Sequence, residues 1–200
     1  MDEFITLMRL FKRGYVSSSI ILRYPKKGKF SYVPVPWSPR RIPSQSAKYV
    51  LKLDEVDLLR QLWNLYKRVK GKLPQELSTA LRWFNKSYEE IEIENRVLDL
   101  DIAFQTMFKC DRYDMLLSKI KLLLEDIPET EKVSKDLGNF KSIRNRIAHQ
   151  GYSGIDPYKL EEFIVNVEEI LRKYYRWFLK QVDECRNYYE IINKQRRSRG

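Results

Sequence analysis

The sequence predicts a mainly α-helical protein with a small β-containing extension at its N-terminal end, on three observations. Glycine is scarce, 7 in 200 residues, which disfavours a turn-rich all-β fold and phosphate-cradling glycine loops. From Asp54 nearly to the end, apolar residues recur at intervals of three and four, the helical period. Before Asp54 the texture differs: β-branched and serine-rich runs are broken by Pro25, Pro34, Pro36, Pro39 and Pro43.

The elements follow in order. Phe4, Ile5, Leu7, Met8, Leu10 and Phe11 mark a short helix ending at Gly14. Residues 16–24, 30–35 and 47–53 read as extended, and the prolines between them as surface loop. Asp54 suits an N-cap for a helix carrying Val56, Leu59, Leu62, Trp63, Tyr66 and Val69 up to Gly71. Pro74 opens a second helix with Leu77, Ala80, Leu81 and Phe84. A third, over residues 91–108, is apolar around much of its surface (Ile93, Val97, Leu100, Ala103, Phe104, Met107) and is expected at the centre. A fourth covers residues 113–124 and a fifth ends at Gly151. Asp156-Pro157 then caps and opens a long last helix through Leu160, Phe163, Val167, Ile170, Leu171, Tyr174, Phe178 and Val182. On this reading residues 1–71 form the extension, 72–193 the helical bundle, and 194–200 a basic tail.

The 38 Lys and Arg residues exceed the 27 Asp and Glu, leaving +11, a charge that attracts polyanions and nucleic acid above all. Residues 11–53 contain no acid. There Lys12, Arg13, Arg23, Lys26, Lys27, Lys29, Arg40, Arg41, Lys48 and Lys52 are interleaved with Tyr15, Tyr24, Phe30, Tyr32 and Trp37. Cations for phosphates and aromatic faces for bases are what a single-stranded RNA surface requires, so Lys26, Lys27, Lys29, Arg40 and Arg41 are RNA-binding candidates. A β-appendage whose aromatics pack on the helices fits the same residues. Tyr174, Tyr175, Trp177 and Phe178 of the last helix fit core or dimer contacts.

Cys110 and Cys185 read as buried thiols of a reducing compartment, and with a single histidine they cannot make a zinc finger or zincin site. No metal or cofactor is expected. Asp2 and Glu3 before a short apolar run make a poor signal peptide, and no segment approaches the length of a membrane span. The expectation is a cytoplasmic protein without a membrane partner.

The segment Arg144-Asn145-Arg146-Ile147-Ala148-His149 holds the candidate chemistry. Asn145 and His149, four apart, share a helix face beside an apolar stripe of Phe140, Ile143 and Ile147. An imidazole that changes charge near neutral pH, next to a fixed guanidinium, suits phosphodiester cleavage. The imidazole would move a proton at the ribose 2′-hydroxyl or the leaving 5′-oxygen, and arginine would offset charge developing on the phosphate. With the 2′-hydroxyl as nucleophile, the reaction acts on RNA and not DNA and needs no metal. Arg146 is a further RNA-binding candidate. By spacing alone, an Arg and a His near a helix end also fit plain capping of backbone carbonyls.

Ile143-Arg144-Asn145-Arg146-Ile147-Ala148-His149-Gln150-Gly151 resembles the R-N-x-x-x-H motif of HEPN (higher eukaryotes and prokaryotes nucleotide-binding) ribonucleases. Ala80-Leu81-Arg82-Trp83-Phe84-Asn85 and Asp101-Ile102-Ala103-Phe104-Gln105-Thr106-Met107-Phe108 are similar to the paired helices of Apea-like HEPN proteins. Leu10-Phe11-Lys12-Arg13-Gly14, with strands after it, looks like the region preceding that domain in the same group. The resemblance implies a HEPN-type helical bundle in which Arg144 and His149 are catalytic and Asn145 orients the histidine or contacts the phosphate. It also implies a homodimer that brings two motifs into one cleft, and a toxin or antiviral-defence setting with an antitoxin protein as a further partner. Where the Apea-like pattern usually has a glutamate, this chain has Gln105. The implied function is a metal-independent endoribonuclease acting on single-stranded RNA; the alternative is a non-catalytic RNA-binding or dimerisation module. A DNA-binding regulator fits the charge but has no recognisable helix-turn-helix.

Overall fold

The computed structural model describes residues 3–12, 49–110, 112, 115–116, 118–120 and 130–193, with the backbone of 20–23 and 31–34; for 130–134 and 191–193 it describes the backbone alone. The fold is mainly helical: α1 (Glu3–Phe11), α2 (Val56–Val69), α3 (Gln75–Ser87), α4 (Ile93–Phe108), α5 (Thr130–Gln150), α6 (Pro157–Asp183) and α7 (Tyr188–Asn193). Residues 115–116 and 118–120 are also helical. Two short strands, β1 (Ile20–Arg23) and β2 (Ser31–Pro34), pair antiparallel with Ile20 opposite Pro34 and Arg23 opposite Ser31. Among the described residues no helix is long and apolar enough to cross a membrane. The basic tail, 194–200, lies outside the described residues.

Three expectations need correction. Residues 49–53 are not a strand: the backbone is extended at Lys52 and then tightens into the single 3₁₀ turn Leu53–Glu55. The N-cap position of α2 falls on Glu55 and not on Asp54, without a side-chain capping bond; the Glu55 carboxylate accepts instead from Lys12 Nζ at 2.7 Å and from the Lys52 backbone N–H, ahead of the 3₁₀ turn, at 2.9 Å. Those two bonds hold the Glu55 carboxyl below the usual carboxylate range. Cys185 is exposed, in left-handed conformation (φ 56°) in the turn that ends α6, whereas Cys110 is buried as expected.

α4 is the central helix. It touches α3, α5 and α6, and Val97, Leu100, Ala103, Phe104 and Phe108 are shut off from solvent completely. Residues on several faces are therefore apolar, which is why its pattern lacks a single stripe. Leu7, Leu10, Leu62, Tyr66 and Val69 from α1 and α2 belong to the same core, so the boundary drawn at Gly71 does not fall between two cores. Asp156 caps α6 by accepting from the N–H groups of Tyr158 and Lys159, with Pro157 in the first turn.

A buried polar network ties α6 to its neighbours. Arg172 has no solvent exposure, yet every direction of its fork is used. Its Nε donates to the Arg9 carbonyl at 2.8 Å, its Nη1 to Glu169, and its Nη2 to Glu168 and the Tyr88 hydroxyl. Glu168 also accepts from Arg96 at 3.1 Å, and Arg96 reaches Glu161 at 2.6 Å. Arg176 donates to the Phe11 carbonyl, so two arginines of α6 satisfy carbonyls at the end of α1 that have no partner within that helix. Burial works against the Arg172 charge, but Tyr88, Glu168 and Glu169 outweigh it and raise its pKa above the usual range. Arg172→Met would leave Glu168 and the Tyr88 hydroxyl short of a donor in a dry interior. We expect a loss of about 3–5 kcal/mol in urea unfolding, the usual cost of removing one partner from a buried pair; an unchanged midpoint would show the network to be dispensable.

Candidate active site

The motif lies in the last two turns of α5, and the packing of α5 decides which of its side chains face outward. Leu137, Phe140, Ile143 and Ile147, spaced by three, three and four, are buried against α4 and α6. Phe140 sits between Phe104 of α4, with ring centroids 6.2 Å apart, and Phe163 of α6 at 6.1 Å. With that stripe inward, Lys141, Ser142, Ala148 and His149 are exposed, and Arg144, Asn145 and Arg146 stand at the boundary. The helix ends at Gly151, whose φ of 80° suits glycine and whose N–H bonds back to Ile147 at 2.8 Å.

Arg144 is held from behind. Its Nε donates to Asp101 Oδ2 of α4 at 2.8 Å, and its Nη1 to Asn145 Oδ1 at 3.2 Å. Asp101 is 2% exposed, and Gln105, one turn further along α4, donates to the same carboxylate oxygen at 2.8 Å. The Arg144 side chain keeps 32% of its surface in solvent, and its Nη2 has no hydrogen bond among the described residues. The guanidinium is therefore fixed in direction while an outward N–H pair stays free, the arrangement an anion would use. Asn145 spends its carbonyl oxygen on Arg144 and not on the histidine.

His149 is exposed and makes no hydrogen bond within the described residues. It follows Arg144 by five positions, which on an α-helix is about 140° of rotation and about 7.5 Å of rise. The two side chains thus share a helix but not a face. Arg146, three before His149, is the nearer in angle, at about 60°. Lys26, Lys27, Lys29, Arg40 and Arg41 lie outside the described residues. Lys12, the first cation of the acid-free stretch that is described, is committed to Glu55 and the Val50 carbonyl.

Asp101 is the residue that sequence reasoning missed. Its signal was an acid set among Val97, Leu100 and Phe104 on a helix apolar on several sides, where a carboxylate can be buried only with a donor. The carboxylate that meets Arg144 thus stands one turn before Gln105, which donates to it. The chain matches no protein-family model, no curated protein and no solved structure.

Asp101→Ala removes a charge-assisted bond to Arg144 and leaves Gln105 without its acceptor. We expect a stability loss of about 1–3 kcal/mol with helix content unchanged, read by circular dichroism during urea unfolding. No loss would mean that Arg144 is not anchored by α4.

Proposed function

We propose that the protein is a metal-independent endoribonuclease of the HEPN kind, with a HEPN-type helical bundle and a small β-containing extension, acting on single-stranded RNA as a homodimer. The single observation that carries this reading is Arg144, oriented by Asp101 and Asn145 with Nη2 left free, on the same helix as the exposed His149. Arg144 holds the scissile phosphate and offsets its developing charge; His149 moves the proton at the 2′-hydroxyl or at the leaving 5′-oxygen. Asn145 keeps the guanidinium in line, and Arg146 contacts RNA beside the motif. Lys26, Lys27, Lys29, Arg40 and Arg41 extend the basic surface. A toxin or antiviral-defence role, with an antitoxin protein as counterpart, is part of the same proposal and rests on the motif's resemblance alone.

The dimer is proposed from counting and from angle. One chain offers one histidine, so a base and an acid that are both imidazoles require two copies. The rotation between Arg144 and His149 also suits a cleft in which one protomer's arginine meets its partner's histidine. The apolar residues beside the motif and most aromatics of the last helix are not at the surface: Phe140, Ile143, Ile147, Tyr174, Tyr175 and Phe178 are buried within one chain, and Trp177 is half-buried. The two copies would meet instead through polar and small residues of α5, namely Gly138, Ser142, Asn145 and His149, of which Gly138, Ser142 and His149 are exposed. A second copy docking there would be two-fold related and self-complementary.

Purified protein incubated with labelled RNA and DNA in chelator should cut the RNA only. His149→Ala and Arg144→Ala should each slow cleavage by on the order of 10²- to 10⁴-fold with the fold intact, and Arg144→Lys should recover little, because a point charge lacks the planar fork. Mixing these two alanine variants should restore cleavage if the cleft pools residues, since one composite site then has both groups. Full activity of His149→Ala would sink the assignment, and no recovery on mixing would rule out a site made of one protomer's arginine and its partner's histidine alone. Binding of RNA without cleavage would favour the non-catalytic module.

A further inference from the structure

The connection that leaves the motif helix carries an arrangement used neither by the core nor by the reaction. Gly151 and Gly154 are both left-handed, at φ 80° and 65°, a conformation that costs side-chain-bearing residues energy. Between them Ser153 is buried, its hydroxyl bonded to the N–H and the carbonyl of Ile155. Asp156 then caps α6, so the loop is fastened at both ends. Held this way, it presents Tyr152 outward with 59% of its surface exposed.

Arg146 and that ring flank the same glycine. A Cβ placed on Gly154 would stand 3.5 Å from Arg146 Nη1 and 3.8 Å from Tyr152 Cε2, so the guanidinium and the phenol ring border the same point of the loop. Arg146 Nε is enclosed by protein without a hydrogen-bond partner, and the side chain makes no hydrogen bond among the described residues. Nε is closed to any ligand, but Nη1 and Nη2 of this half-buried side chain are equally unspent and remain open to an incoming phosphate. An exposed tyrosine alone would need no explanation. An exposed aromatic face beside an unspent guanidinium, within about one turn of His149, is the pairing that single-stranded nucleic acid uses: a ring for the base and a cation for its phosphate.

We infer that Tyr152 and Arg146 form a nucleotide subsite for one unpaired base and its phosphate, on the His149 side of the motif helix. Tyr152 stacks on the base, and Arg146 donates to the backbone on the His149 side. The subsite deepens the ribonuclease reading and rests on it for what happens to the adjoining phosphate, but the binding itself is independent of cleavage. Stacking accepts any base with a free face, so the preference is for unpaired over paired strands and not for one sequence.

The test uses the full chain and a labelled single-stranded DNA of mixed sequence, which lacks the 2′-hydroxyl and so reports binding alone, against the duplex of the same sequence. Tyr152→Ala should weaken single-strand binding about tenfold, the weight of one base–aromatic stack, and leave duplex binding unchanged. Tyr152→Phe should bind as the wild type does, because the ring and not the hydroxyl carries the contact. Arg146→Gln should weaken binding and lower the salt dependence by about one phosphate. Equal single-strand affinity of the wild type and Tyr152→Ala, or no single-strand binding by the wild type, overturns the inference. RNA left uncut by a protein that shows the tenfold loss defeats the ribonuclease reading and leaves the subsite standing.

Discussion

The ion pair between Asp101 and Arg144 joins the core to the motif, and each partner explains the other. A carboxylate 2% exposed in the middle of the central helix needs donors, and Arg144 and Gln105 both donate to it. In return the guanidinium loses the freedom that a surface arginine would have, so an approaching phosphate meets donors already in place and the ordering cost falls. Both helices must then sit in fixed relation. Phe104 against Phe140 sets it directly, and the Arg96–Glu168–Arg172 network fixes α4 on α6, whose Phe163 packs on Phe140 in turn.

The same packing separates what is anchored from what is free. Arg144 is braced by α4, whereas His149, past the last buried position at Ile147, stands in solvent. That division suits a group whose charge must stay put and one that must exchange protons with water and substrate. It also limits what a single chain can do, since the two side chains diverge by about 140° around the helix. A cleft assembled from two copies removes the divergence without bending α5.

Much of the fold was legible because burial leaves a period in the sequence. The three-and-four spacing of Leu59, Leu62, Tyr66 and Val69, and of Leu160, Phe163, Val167 and Ile170, reads directly as a helix with one face inward. The Asp156-Pro157 pair was equally plain, because its effect on the backbone is local. What could not be read depended on distant partners. α2 begins after Glu55 and not after Asp54, behind a 3₁₀ turn whose Glu55 carboxylate is held by Lys12, 43 residues away, and no short-range pattern contains that fact. The aromatics of α6 looked usable at a surface until the depth of α6 in the bundle placed Tyr174, Tyr175 and Phe178 in the core. At the site, the spacing of Arg144 and His149 was visible, but the brace at Asp101 joins residues 43 apart and emerged only with the packing of α4 on α5.

The chemistry assigned to the motif leaves a mark on its products. Attack by the ribose 2′-hydroxyl, assisted by His149, joins that oxygen to phosphorus as the 5′-oxygen departs with a proton. One fragment must then end in a 2′,3′-cyclic phosphate, or the 3′-phosphate formed by its hydrolysis, and the other must begin with a 5′-hydroxyl. Mass spectrometry of a short RNA cut by the wild-type protein tests this directly. Cyclic phosphate and 5′-hydroxyl ends are the predicted result; fragments that begin with a 5′-phosphate, or an RNA that stays whole, would contradict the account.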